Sequence, residues 1–456
     1  MNPAWLVTAL CCHTSLLSVQ NITIDTVEVN ARRLRKAKRA VAPIQNNKVK
    51  FFSDVSGAVV FAIMALLALF TSCHQGKITN TPQHGDTVAM KYAENICIVH
   101  YDGYTRVDLA NPWKKGEILH TYILVQSSPL EHPSLEGRAE ERPERGYTTI
   151  SIPLTHSAVY SGVHGSIIDE LGAADQIRAV CEIEYFTNEH ILSAYRAGRI
   201  TNLGNSLAPD IEALIDIHPD AILLSPFENS GGYGLIETTG IPIVECADYM
   251  ETSPLGRAEW MKFYGLLYGR AAEADSLFHE VETAYNDLKA RVEQLAVNEH
   301  SSLEHPSLEG RAGERPRVIS DLITGSTWYV PGGHSTMGRL IADAGGDYIF
   351  KKSRESGSLA LAPETVFAES QDADVWFMKY TNAAGDKTYQ ELASESPLYP
   401  QMKAFKQRKV YGCNLSYVHF YNDLPYHPER HLKDMIRMFH PQLLPDHHLK
   451  YYKALE

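Results

Sequence analysis

PDIEALIDIHPDAILL at 209–224 and APETVFAESQDADVWFM at 362–378 are two versions of one pattern. Each opens beside a proline, places a glutamate (Glu212, Glu364) early in an amphipathic stretch, passes an aspartate and ends on an apolar run. A short apolar run bounded by turn residues reads as a buried strand. A second pair, IDELGAADQIRAV at 168–180 and IADAGGDYIF at 341–350, repeats an apolar helix, a glycine stop and a strand. Both halves therefore alternate helix and strand, which predicts an α/β fold of two lobes with parallel sheets. Between them, Ala274, Leu277, Phe278, Val281, Leu288, Val292 and Leu295 form one apolar face over 271–296. At 1.5 Å per residue that helix is roughly 40 Å long, enough to bridge two lobes. The helix before it is bounded by Ser253 as N-cap, Pro254 in the first turn and Gly269 as the stop.

The chain has 456 residues and a formal net charge of −13, which argues against nucleic acid as a partner. Ordinary Gly, Pro and hydrophobic content excludes collagen-like, wholly disordered and polytopic membrane classes. The charge is unevenly spread. Residues 1–72 hold eight Lys/Arg against three Asp/Glu, so the acidity belongs to the body. The uncharged run Ala58–Phe70 (AVVFAIMALLALF) is short for a membrane span of ~20 residues and suits the apolar core of a signal peptide. Thr71-Ser72-Cys73 follows it and resembles a lipobox, with Cys73 as the lipidated residue, although Leu69 and Phe70 depart from the usual spacing. An uncleaved anchor is the alternative reading. The seven cysteines form no CxxC cluster. Those of the body read as small buried hydrophobes.

Residues 75–87 read as a polar tether. Glu94–Val99 and Thr105–Leu109 flank Asp102-Gly103, a hairpin signal, and Ile118–Val125 and Thr148–Pro153 are further strand candidates. LEHPSLEGRAEERP at 130–143 recurs as LEHPSLEGRAGERP at 303–316, identical at thirteen of fourteen positions. Rich in Pro, Glu and Arg, both copies read as polar inserts in surface loops. The expected organisation is a leader 1–72 with its apolar core at 58–70, then a tether and β-rich lead-in 73–147. A first α/β lobe at 148–269, a bridging helix 270–297 and an inserted loop 298–316 follow. A second α/β lobe with its tail occupies 317–456.

SGVHGSIIDELG (161–172), the 211–223 element, PLGRAEWMKFYG (254–265), the bridging helix and GSTWYVPGGHSTM (325–337) together resemble the substrate-binding lipoproteins of iron-complex and vitamin B12 ABC importers, in the form found in Bacteroidetes-type bacteria. The likeness covers about 148–440, and order and spacing carry it. It implies two Rossmann-like lobes joined by one rigid helix, with ligand held in the cleft between them. It also implies that one acidic residue per lobe, here Glu212 and Glu364, docks against arginines of the permease. The plain alternative is a glutamate complementing a helix dipole.

Ligands of open α/β sheets lie beyond the carboxyl ends of the strands. That places Tyr160, Ser161, His164, Glu184, Tyr185, Phe227 and Tyr233 at the cleft in the first lobe. The second lobe offers Trp328, Tyr329, His334, Ser335, Lys379, Tyr380, Tyr417, His419 and Phe420. Aromatic faces suit a flat conjugated ligand better than a bare ion, and Trp328 is the foremost candidate. Each residue alone reads equally as core or rim. His164, His334 and His419 could be axial ligands to haem iron or a corrinoid cobalt, or ordinary hydrogen-bonded histidines.

No GxGxxG, phosphate loop, HExxH or GxSxG is present; Gly333-His334-Ser335 approaches the last, but Met337 replaces its second glycine. The expectation is a non-enzymatic, monomeric receptor in the periplasm, lipid-anchored to the membrane, without metal or cofactor of its own. It would carry an iron complex (ferric siderophore or haem), or alternatively cobalamin, to an ABC permease. A chelatase- or hydrolase-like exported enzyme is the other class.

Overall fold

The computed structural model describes residues 85–127, 146–228, 232–301 and 315–456, all within the compact unit Pro82–Glu456, with backbone alone at 296–301. The leader, Cys73, most of the tether and nearly all of both repeated inserts lie outside the described residues.

The lead-in is a folded sheet. Strands β1 (Asp86–Val88), β2 (Ile96–Tyr101), β3 (Tyr104–Ala110), β4 (Ile118–Gln126) and β5 (Tyr147–Ile152) lie in chain order. The first four are antiparallel and β5 joins parallel to β4. Asp102-Gly103 forms the tight β2–β3 connection, with Gly103 at φ +90°, where a side chain would be strained. Ile96, Ile98, Val107, Leu109, Tyr122, Leu124, Ile150 and Ile152 recur at every second position of their strands and join the core of the first lobe.

The first lobe is a parallel sheet of β6 (Ser157–Val159), β7 (Ile177–Val180), β8 (Thr201–Asn202), β11 (Ala221–Leu224) and β12 (Ile243–Glu245), in the order β12-β11-β6-β7-β8. A small hairpin, β9 (Gly204–Asn205) with β10 (Ala208–Pro209), stands beside it. The second lobe is built from β16 (Asp347–Tyr348), β13 (Arg317–Ser320), β18 (Val375–Tyr380), β19 (Val410–Asn414) and β20 (Lys453–Ala454), in that order, with only β20 antiparallel. A three-stranded antiparallel sheet, β14 (Ile323–Thr324), β15 (Thr327–Pro331) and β17 (Ser358–Leu361), is attached to it. The chain reverses winding direction between β6 and β11 in the first lobe and between β13 and β18 in the second.

The bridging helix runs Ala271–Ser301, about 46 Å at 1.5 Å per residue. It buries Ala274, Phe278, Val281, Tyr285, Leu288 and Val292, a strict alternation of four- and three-residue steps. Leu277 and Leu295, expected on this face, are only half buried, while Tyr285 joins it and donates its hydroxyl to Asp343 of the second lobe at 2.8 Å. The preceding helix starts at Ser253, whose hydroxyl accepts from Gly256 N, with Pro254 in its first turn. It breaks at Trp260 into Pro254–Glu259 and Met261–Leu267, and Gly269 has φ +67°.

Two buried carboxylates fasten the lead-in to this helix pair. Glu259, fully buried, accepts the backbone N–H groups of Lys91, Tyr92 and Ala93 at 2.8–3.0 Å and an ion pair from Lys262 at 3.0 Å. Glu251 accepts from Glu94 N, Asn95 N and Trp260 Nε1, while its own carbonyl accepts from Thr336 Oγ1 of the second lobe at 2.9 Å. Lys91 and Tyr92 also bond Glu282 on the bridging helix. Glu259→Ala should cost about 3 kcal/mol in denaturant unfolding, because it leaves three amides and a lysine without their acceptor.

The lobes also meet on another side, where His427 Nε2 contacts Glu170 Oε2 at 2.6 Å and Nδ1 contacts Glu429 Oε1 at 3.1 Å. Arg430 lies 3.9 Å from Glu170, and Asn422 bonds Thr187 at 2.9 Å. Burial alone would lower the imidazole's pKa, but the two glutamates outweigh it and lift it to about 9. A raised histidine pKa contributes stability below about pH 6.5 that is lost as pH rises through about 9. Melting curves between pH 7 and 10 should therefore fall more steeply for the native chain than for His427→Gln.

Candidate functional site

Most of the predicted residues follow strands of the parallel sheets, whereas Trp328 and Tyr329 lie on β15 of the antiparallel sheet, and burial divides the set sharply. In the first lobe Tyr160 follows β6 and is 6% exposed, with no hydrogen-bond partner for its hydroxyl among the described residues. Burial pushes the phenol's pKa up. Ser161 is a helix cap: its hydroxyl accepts from Val163 N at 3.2 Å, opening the helix Gly162–Glu170. Tyr185 ends the turn after β7 and is half buried beside exposed Glu184. Phe227, after β11, is 41% exposed. Tyr233 is half buried and donates to Glu245 at 2.6 Å.

His164 was expected at the cleft and belongs to the interior. Its Nε2 lies 3.1 Å from Asp248 Oδ1, which also accepts from Tyr264 Oη at 3.0 Å, while Arg257 Nε donates to Oδ2 at 3.1 Å. Burial drives the Asp248 pKa up, yet the histidine and arginine outweigh it and hold it below its usual value. The ring is 2% exposed and its Nε2 is taken by Asp248, so an axial-ligand role for His164 is corrected on that ground.

The largest correction falls on Trp328. The chain turns back at Gly325 (φ +62°), so β15 runs antiparallel to β14 and its alternate residues face opposite ways. Trp328 and Val330 point into the second-lobe core; Trp328 is fully buried, packs against Trp376 and Tyr399, and donates to Ser320 O at 3.2 Å. Tyr329 takes the other face and is half buried. Tyr380 is likewise core, its hydroxyl accepting from Lys387 N at 2.8 Å, and Phe420 is 1% exposed. Ser335 is buried as an N-cap bonded to Gly338 N. His334 stays exposed, as do His419 and Tyr417, whose hydroxyl donates to Ala383 O at 2.6 Å.

One feature escaped the sequence reading. Asp321, just after β13, holds a left-handed backbone (φ +64°) and pairs with Lys379 Nζ of β18 at 2.6 Å. The two residues occupy the second lobe's winding reversal, where open α/β sheets place their ligands. Left-handed geometry at an aspartate has no signature in a single sequence.

Between the lobes lies a cavity of about 620 Å³. Ser166, Asn188 and His190 line it from the first lobe, and Tyr417, His419, Tyr426, His427 and Tyr451 from the second. Of the predicted set, only Tyr417 and His419 reach it. Among the described residues no group of three or more His, Cys, Asp or Glu side chains converges to hold a metal ion. Cys181, Cys246 and Cys413 are buried and free, and Cys97 is half buried. Glu212 and Glu364 are both exposed, each the second residue of its helix, Ile211–Ile217 and Pro363–Ser370.

Among known proteins, an uncharacterised lipoprotein of Methanocaldococcus jannaschii is 26% identical over 354 residues, covering 73% of this chain and 78% of its own. A second uncharacterised lipoprotein of that organism is 24% identical over 400 residues, covering 85% and 91%. Both alignments are longer than residues 158–456, so each takes in residues ahead of the first lobe. A possible iron-binding (periplasmic solute-binding) protein from Staphylococcus epidermidis superposes with a TM-score of 0.47 at 15% identity, covering 63% of this chain and 99% of that one. A periplasmic heme binding protein from Pseudomonas aeruginosa gives 0.46 at 13%, covering 63% and 93%. The periplasmic binding protein model matches residues 158–416, from β6 through the end of β19. That match spans more than half of the chain, both parallel-sheet lobes and the helix between them, and the chain belongs to the periplasmic binding protein family.

Proposed function

We propose that this protein is the solute-binding component of an ABC importer, capturing a metal chelate, first of all an iron complex, between its lobes. One observation carries the reading: two lobes held on one long helix present an exposed glutamate at the same helical position in each, Glu212 and Glu364. Two carboxylates at separate points of one body fix its orientation on a partner and accept bidentate arginine pairs. The exposed ring surfaces of Phe227 and Tyr417 and the half-buried Tyr185 and Tyr329 supply contact area for a conjugated or chelated ligand. Anchoring through Cys73 would hold the receptor at the membrane that carries the permease.

Titration of purified protein with haemin, cobalamin and ferric siderophores, read by tryptophan quenching and visible absorption, tests the cargo. Saturable binding of one chelate is expected. Binding of zinc but of no chelate would overturn the reading. Glu212→Arg with Glu364→Arg should reduce uptake by whole cells at least tenfold and leave ligand Kd unchanged; a changed Kd would assign these residues to the pocket.

A further inference from the structure

Glu212 and Glu364, taken above as the docking pair, stand at matching helical positions in unlike surroundings; what the contrast implies rests on that reading. Helix Ile211–Ile217 turns Glu212, Ile215 and Asp216 to solvent. Ile215, three residues on from Glu212 and so its neighbour on the helix surface, is 45% exposed. Leu207, at the turn of the β9–β10 hairpin that leads into this helix, is 65% exposed. Leu235, on the helix Gly234–Thr239 packed against it, is 68% exposed. Beneath them Leu203, Leu214 and Ile236 share one core cluster, so the hairpin and both helices have a common support. On the helix of Glu364 the other exposed residues are Thr365, Ala368 and Glu369, with no large apolar side chain. The second lobe's exposed rings, Tyr417 and Tyr421, follow β19 instead.

Scattered exposed leucines are ordinary, but three aliphatic side chains gathered around one carboxylate make a patch of the kind that partners cover. A solvent-exposed carboxylate–arginine pair contributes little, and apolar neighbours that exclude water from it make it stronger. The patch also dictates the charge of its partner. Residues 200–256 contain no lysine or arginine, and Asp210, Asp216 and Glu237 stand exposed together with Glu212. A second copy docked through the same patch would set these carboxylates against their own kind, whereas a basic surface complements them. We propose that docking on the permease is uneven. The first lobe is the anchor, burying Leu207, Ile215 and Leu235 around Glu212 against an apolar permease surface that carries arginine. Glu364 makes a polar contact that sets orientation.

Photo-crosslinking of the full chain in cells tests this, with p-benzoylphenylalanine placed at Leu207, at Leu235 or, in the second lobe, at Ala368. Products identified by mass spectrometry as a polytopic permease are expected from all three positions. With the probe at Ala368, Leu207→Asn with Leu235→Asn should lower the product yield at least fivefold. With the probe at Leu235, Thr365→Asn should change it less than twofold. Unchanged melting temperatures of the purified variants separate lost docking from lost folding. An undiminished Ala368 product in the double variant would overturn the uneven docking and leave two equivalent contacts. Crosslinking of Leu207 and Leu235 to a second copy of this chain would overturn it in favour of a dimer. A permease product from Ala368 with none from Leu207 or Leu235 would overturn this inference and leave the docking reading in place. A permease product from none of the three positions would overturn both.

Discussion

Glu251 is the joint on which the architecture turns. Its carboxylate collects two backbone amides of the lead-in and the indole of Trp260, and its carbonyl takes the hydroxyl of Thr336 from the second lobe. One residue thus ties together the lead-in sheet, the helix pair of the first lobe and the start of a second-lobe helix. Burial pushes the carboxyl pKa up, since the surroundings disfavour charge, and the indole and amides act against that. Buried carboxylates are tolerated only when their lone pairs are filled, so the donors must arrive together. Glu259 repeats the device one helical segment later, and Glu282 extends it to the bridging helix.

A consequence is that the lead-in belongs to the body. The family match begins at residue 158, yet β1–β5 share a continuous core with the first lobe. Among the described residues the lobes meet along the bridging helix, through Thr336, and through His427 with Asn422. Glu212 and Glu364 are thus carried on one connected body.

Much of this was legible before any coordinates. The doubled helix–strand pattern announces two parallel-sheet lobes because buried parallel strands need continuous apolar runs. The bridging helix declares itself through its spacing, and Ser253 with Pro254 through capping chemistry. The site was less legible. Aromatic residues near strand ends look alike in sequence, whether they face ligand or core. Trp328 and Tyr329 are neighbours, and only the reversal at Gly325 and the pairing of β15 with β14 decide which one is buried. His164 and Tyr380 were misplaced for the same reason: their partners, Asp248 and Lys387, come from other elements.

The sequence by itself determined the local structure, the order of elements and the two-lobed plan, because periodicity, caps and apolar runs act over a few residues. Glu212 and Glu364 are recognisable in the same way as matching positions of a repeated motif, which is a one-dimensional fact. Tertiary structure alone decided which side chains line the cleft, which carboxylates are occupied by backbone amides, and that Lys379 is neutralised by a residue 58 positions away. Those outcomes depend on burial and on charges meeting across the fold, and both are properties of distance in space.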